Sequence, residues 1–219
     1  VHDNTFRGRN YDAYPHFFVY LKRKFPNACT GSFVDWEPID TYIVRAADVR
    51  KVRPASSKDS LEQKDKMLAG EAVQFLTQQN PHAVFVYFGQ VDEVGHRDGF
   101  HPSVPSYLQA IQTVDVHIAS LIGAIQSRPD HVQENWLIII STDHGGRGRK
   151  HRGGHDVPEI VTTFLVVSGK DSMKGEIEEP SYIVDVPVIA LTHLGVPIEG
   201  AWQLDGKAVG VRQEFRNNQ

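Results

Sequence analysis

Apolar positions along this chain recur with two different spacings, and the alternation between them predicts the architecture. Between 14 and 25, YPHFFVYLKRKF places apolar side chains at 14, 17, 18, 21 and 25, one face of a helix, and Pro26 stops it. A short strand is expected over 29–36, CTGSFVDW, and an extended stretch over 41–52. VRPASSKDS, 52–60, reads as a loop. Helical spacing returns over 60–79, with apolar residues at 61, 68, 72, 73, 75 and 76 and Ser60 placed to cap it. AVFVYFG, 83–89, is apolar without interruption, which suits a strand buried on both faces. A polar loop is expected over 90–106, a long helix over 106–127 and a buried strand over 136–142. A second buried strand follows over 162–169, then a helix in the second half of 182–195 that ends at Gly195. The segment 202–211 reads as a terminal hairpin or edge strand.

The order strand, helix, strand, helix, strand, with strands apolar throughout, predicts an α/β fold: a mostly parallel sheet covered by helices on both faces. No shift in composition divides the chain, so 1–219 reads as a single α/β domain. Ligands of such sheets sit beyond the carboxyl ends of the strands. Two polar clusters fall there, one after 83–89 and one after 136–142.

Composition narrows the function. Hydrophobic residues make up 40% and charged residues 23%, an ordinary globular balance. The net charge of −4 gives no bulk attraction to nucleic acid. The basic run RGRKHR has no interleaved aromatics, so nucleic acid is not expected as a partner. The single cysteine, Cys29, rules out an internal disulfide and a thiolate zinc site within the chain. No apolar run is expected to span a membrane. The opening VHDNTFRGRNYD has no targeting pattern and reads as the middle of a domain.

Histidine is the unusual count, at eleven. Asp92 and His96 belong to the first cluster; Asp143 and His144, with His151 and His155 beyond them, belong to the second. Carboxylate oxygen and imidazole nitrogen together are ligands for zinc and similar ions, and a set without thiolate suits a catalytic ion with open positions. Glycines at 145, 146, 148, 153 and 154 let the backbone approach such an ion, and the cations at 147, 149, 150 and 152 read as a solvated basic loop. His16, His82, His117, His131 and His193 have no partner motif and are expected to be ordinary surface or half-buried residues. His101 sits in a Phe-His-Pro turn near the first cluster, Asp115 is expected to serve a structural hydrogen bond, and Trp36 is expected to pack.

QVDEVGHRDG and ISTDHGGRGRKH resemble the two C-terminal metal motifs of the alkaline phosphatase superfamily, in its type I phosphodiesterase/nucleotide pyrophosphatase branch. Asp92, Gly95 and His96 match the first motif; Thr142, Asp143, His144 and Gly145 match the second. The VHDN start, the SFVDWEPI segment and the helix over 106–127 extend the likeness along nearly the whole chain. The resemblance implies two divalent ions, zinc by ligand type. One would be held by Asp92, His96 and His151, with His155 a rival for the last place because Arg152 separates His151 from Gly153. The other would be held by Asp143, His144 and an aspartate of the family's first strand. Asn4 would donate a hydrogen bond to a phosphoryl oxygen. The family's nucleophile, a Thr or Ser, lies upstream of the region matching VHDN, and Thr5 falls on the wrong side of Asn4. The resemblance therefore implies an N-terminally truncated domain, with a small phosphoester as substrate and an extracytoplasmic home. A sulfatase, a phosphomutase or a non-catalytic metal-binding remnant are the competing readings.

Overall fold

The structure is a computed structural model that describes residues 6, 8–53, 58–153 and 156–212. Three parallel strands form one sheet in the order β2–β1–β3: β1 Thr30–Val34, β2 Val49–Val52 and β3 Ala83–Tyr87. β4 (Leu137–Ser141) and β5 (Leu165–Gly169) form an antiparallel pair. Among the described residues, β3 is paired only by β1 and β4 only by β5.

Side-chain alternation sorts the layers. Phe33, Val84 and Val86 pack on Leu68, Ala72 and Phe75 of α2 (Leu61–Gln78), together with Leu121 of α4 (Pro105–Gln126). Ile138 meets the other end of the same helix pair, beside Leu76, Ala124 and Ile125. On the opposite face, Phe85 packs with Phe18, Tyr20 and Leu21 of α1 (Phe17–Lys24) and with Leu191 of α6 (Asp185–His193). Ile189 of α6 turns instead toward Leu137, Ile139, Leu165 and Val167. Helices therefore cover both faces, as the sequence predicts, and α4 and α6 each touch both strand groups.

Local chemistry explains the helix ends. Ser60 accepts the Gln63 N–H while the Gln63 side chain accepts the Ser60 N–H, a reciprocal cap. Pro105 opens α4, and Pro158 opens the one-turn α5 (Pro158–Val161), at a position where the missing N–H costs nothing. The 22 residues of α4 are, by length and composition alone, apolar enough to cross a membrane, contrary to the sequence expectation. In the fold, α4 packs along α2 and along α3 (Gln90–Asp98), and Leu108, Ile111 and Val116 remain exposed.

Three segments differ from expectation. The polar stretch after β3 is not all loop: Gln90–Asp98 forms a helix, α3. Only Val49–Val52 of the segment 41–52 is a strand, because Ile39–Ile43 winds as a short π-helix before it. The terminal segment makes a 3-10 turn at Gly200–Trp202 and one bridge from Ser172 to Val211, not a hairpin.

Candidate metal centre

β3 ends at Tyr87, and the chain turns through Gly89 into α3. Helical geometry then sets Asp92 and His96 one turn apart on the same face, with His96 Nε2 3.5 Å from Asp92 Oδ2. β4 ends at Ser141, and Asp143 and His144 follow immediately. Residues 147–150 form a tight turn closed by the Arg147 N–H on the Lys150 carbonyl, which returns the chain so that His151 meets the other groups.

The outcome is one cluster. Ligand atoms of Asp92, His144 and His151 all lie within 4.8 Å of one another. The His151 ring is 4.1 Å from the His144 ring and 4.8 Å from the His96 ring, centroid to centroid. Asp143 stands at the rim, its side chain 59% exposed and its Oδ2 3.7 Å from His144 Nε2. Asn4 and His155 lie outside the described residues.

Backbone carbonyls fix the imidazoles. His96 Nδ1 is 3.0 Å from the Arg149 carbonyl, and His144 Nδ1 is 2.9 Å from the Gly145 carbonyl. A carbonyl only accepts, so Nδ1 of each ring donates to it, and each ring turns its Nε2 toward a carboxylate, Asp92 for His96 and Asp143 for His144. A carbonyl or carboxylate behind the free ring nitrogen is the usual support for a metal-binding histidine. Burial, together with the neighbouring His144 and His96, lowers the pKa of His151, so this ring stays neutral. Asp92 Oδ1 is buried and has no hydrogen-bond partner. A buried carboxylate oxygen without a donor, in a cluster with the His144 and His151 imidazoles, is a donor set that fits a divalent cation. The Tyr87 phenol lies among this acidity: burial raises its pKa first, then Asp143, Asp35, Asp92 and Asp65.

A wedge holds the two loops together. The Phe100 ring sits against Gly95 and Gly146, where an added Cβ would come within 2.3 Å of it on either side. The Phe100 N–H donates to the Gly148 carbonyl at 2.7 Å, and its ring meets His96 edge-on at 5.3 Å. Sequence reasoning passed over Phe100; the signal was glycine in both motifs where a side chain must be absent.

The remaining sequence candidates sit apart from the cluster. His101 bonds locally to Ser103, and Asp115 is exposed on α4 rather than serving a structural hydrogen bond. Trp36 packs beside Val34, Ile39 and Val44. His193 is half-buried, as expected, and paired: Nδ1 is 2.9 Å from Asp171 Oδ2 and Nε2 is 2.9 Å from the Asn135 carbonyl.

Against known families, residues 7–173 match the model of the type I phosphodiesterase / nucleotide pyrophosphatase family. The chain belongs to that family. Its fold is shared with the crystal structure of Ps i-CgsB, at a TM-score of 0.65 and 15% identity, over 93% of this chain and 58% of that one. A murine ectonucleotide pyrophosphatase/phosphodiesterase 5 structure, an inactive T72A form in complex with AMP, aligns at a TM-score of 0.40. It is 22% identical over 58% of this chain and 31% of that one. The chain thus spans well under two thirds of both structures. No curated protein sequence matches it.

Proposed function

We propose that this chain forms the metal-binding part of a phosphoester hydrolase. The observation that carries the reading is the convergence of Asp92, His144 and His151 from two separate strand ends. Membership of a phosphodiesterase family supplies the reaction class. In this reading Asp92, His96 and His151 serve one divalent ion, and Asp143 and His144 serve a second, with zinc favoured by the nitrogen-rich set. The proximity of His144 to Asp92 and His151 supports a border shared by the two groups. Bound ions would supply charge stabilisation at the phosphoryl oxygens and make an alkoxide nucleophile accessible at neutral pH.

The chain's own residues have narrower tasks. The Arg149 and Gly145 carbonyls hold the imidazoles in one tautomer and orientation. Phe100 and the buried side of α3 keep bulk water from the back of the cluster. Asn4, by resemblance, orients a non-bridging phosphoryl oxygen. In this reading no residue of the chain is assigned as the Thr or Ser nucleophile or as the further aspartate of the second ion.

The decisive measurement is metal content. The purified chain should bind Zn²⁺ or Co²⁺, and Asp92→Ala or His144→Ala should each lower affinity by about tenfold or more. His101→Ala, outside the cluster, should leave binding unchanged. Equal metal content in all four proteins would overturn the assignment.

A further inference from the structure

One feature behind the metal cluster has no part in the chemistry above. Asp35 follows β1 directly, Asp65 lies one turn into α2, and both side chains are buried, at 8% and 0% exposure. They meet the start of α3. The Gly89 N–H donates to Asp35 Oδ2 at 3.0 Å, and the Gln90 N–H donates to Asp65 Oδ2 at 3.1 Å. A longer contact of 3.4 Å joins Gly89 N to Asp65 Oδ1.

A helix begins with N–H groups that have no partner inside it, and usually a side chain at the preceding position satisfies them. Here that position is Gly89, which has no side chain to offer. Its absence is required: a Cβ on Gly89 would lie 2.4 Å from Asp35 Oδ2. The cap of α3 therefore comes from two other elements, 54 and 25 residues away in sequence. Two residues beyond Gln90 stands Asp92, and one turn later His96.

We propose that Asp35 and Asp65 form a proton-sharing carboxyl clamp that fixes the first turn of α3 and so positions Asp92 and His96. They are positioning residues, not ligands. The sharing follows from satisfaction: Asp35 Oδ1 is buried without a donor unless the neighbouring Asp65 carboxyl provides one. A hydrogen bond between the two side chains favours the charged form of Asp35, the neutral form of Asp65, and so one proton between them. Burial raises both, and the negative charge of Asp35 raises Asp65 further. From α2, Lys64 favours the charged form of Asp35; from β3, the Tyr87 phenol feels both carboxylates.

The sign of the pH effect follows. A carboxyl whose folded value lies above its unfolded one stabilises the fold at low pH, and that contribution is lost as pH rises from about 4 past neutrality. Asp65→Asn keeps an acceptor for α3 and gives Asp35 a permanent N–H donor. It should bind metal within about threefold of the unsubstituted chain and remove much of the alkaline loss of urea resistance. Asp35→Ala and Asp65→Ala should raise hydrogen exchange of residues 89–98 in the metal-free chain by about tenfold and weaken Co²⁺ binding by a similar factor. The Co²⁺ absorption band of whatever metal is bound should keep its shape, since the ligands are unchanged.

The proposal rests on the metal reading, and the two fail differently. An unsubstituted chain that binds no Co²⁺ overturns the metal centre and, with it, the positioning role. Unchanged α3 exchange in both alanine variants overturns the clamp, whatever the metal does. An Asp65→Asn chain with the pH profile of the unsubstituted protein overturns the shared proton. If Asp65→Asn binds metal as poorly as Asp65→Ala, the carboxylate charge itself matters and the clamp is wrong.

Discussion

At the scale of the residue, the histidines of this chain divide by what surrounds them. His16 caps α1 by accepting the Phe18 N–H on Nδ1, and burial pushes its pKa down to about 3. An imidazole that must stay neutral to fold costs stability once the unfolded chain can protonate it. The contribution is complete above about pH 6.5 and falls as pH drops toward the folded value, by roughly 2–3 kcal/mol between pH 7 and 4. His16→Asn, which keeps a capping acceptor, should flatten this acid limb in urea melts taken at a series of pH values. An unchanged limb would place the acid sensitivity elsewhere. His193 is the opposite case. Both of its nitrogens face acceptors, the buried Asp171 carboxylate and the Asn135 carbonyl. His193→Ala removes the imidazole partner of that carboxylate, which keeps the Asn135 amide, and should cost about 3 kcal/mol of unfolding free energy without altering metal content.

At the scale of the element, α3 shows why the candidate site was partly legible. The types of its residues were readable: Asp92, His96, Asp143 and His144 stand out because carboxylate and imidazole recur just after apolar strands. The helix itself was not, because QVDEVGHRD carries two glycine neighbours and few apolar positions, and its cap lies far away in sequence. Tertiary contacts supply what local propensity lacks. The pairing of His144 with Asp92 and His151 was equally hidden, since it depends on how far the turn at 147–150 brings the chain back. The long elements were plain: α2, α4 and the apolar strands follow the expected periods. Phe100 tests the element-scale argument. Phe100→Ala opens a cavity between Gly95 and Gly146, which should cost about 2 kcal/mol for a ring that is not fully enclosed. Because the ring spans both loops, metal affinity should fall as well, while Phe100→Leu restores part of each. A stability loss with metal binding intact, followed by calorimetry and metal titration, would reduce Phe100 to ordinary packing.

At the scale of the molecule, the question is what joins β2–β1–β3 to β4–β5, since no described strand pairs across them. The cluster takes Asp92 from one group and His144 from the other, so its geometry is only as firm as that junction. Two helices make it. α4 sets Leu121 against Val84 and sets Ala124 and Ile125 against Trp136 and Ile138; α6 sets Leu191 beside Phe85 and Ile189 among Leu137 and Val167. Both α6 residues are fully buried. If these helices couple the groups, the chain unfolds as one unit. Trp36 lies against the first group and Trp136 against the second, so replacing each in turn by Phe gives two local fluorescence reporters, once Trp202 is also replaced. Their denaturation curves should coincide. Ile189→Ala removes a buried branch from the junction and should cost about 2–4 kcal/mol. It should move the Trp136 transition to lower denaturant than the Trp36 transition, because the substitution strikes the side of α6 that holds β4 and β5. Added Zn²⁺ should bring the two curves together again, since one ion bound to both groups stabilises only the joined state. Separate transitions in the unsubstituted chain, or an Ile189→Ala chain whose two reporters still move as one, would show that the coupling runs through something other than α6.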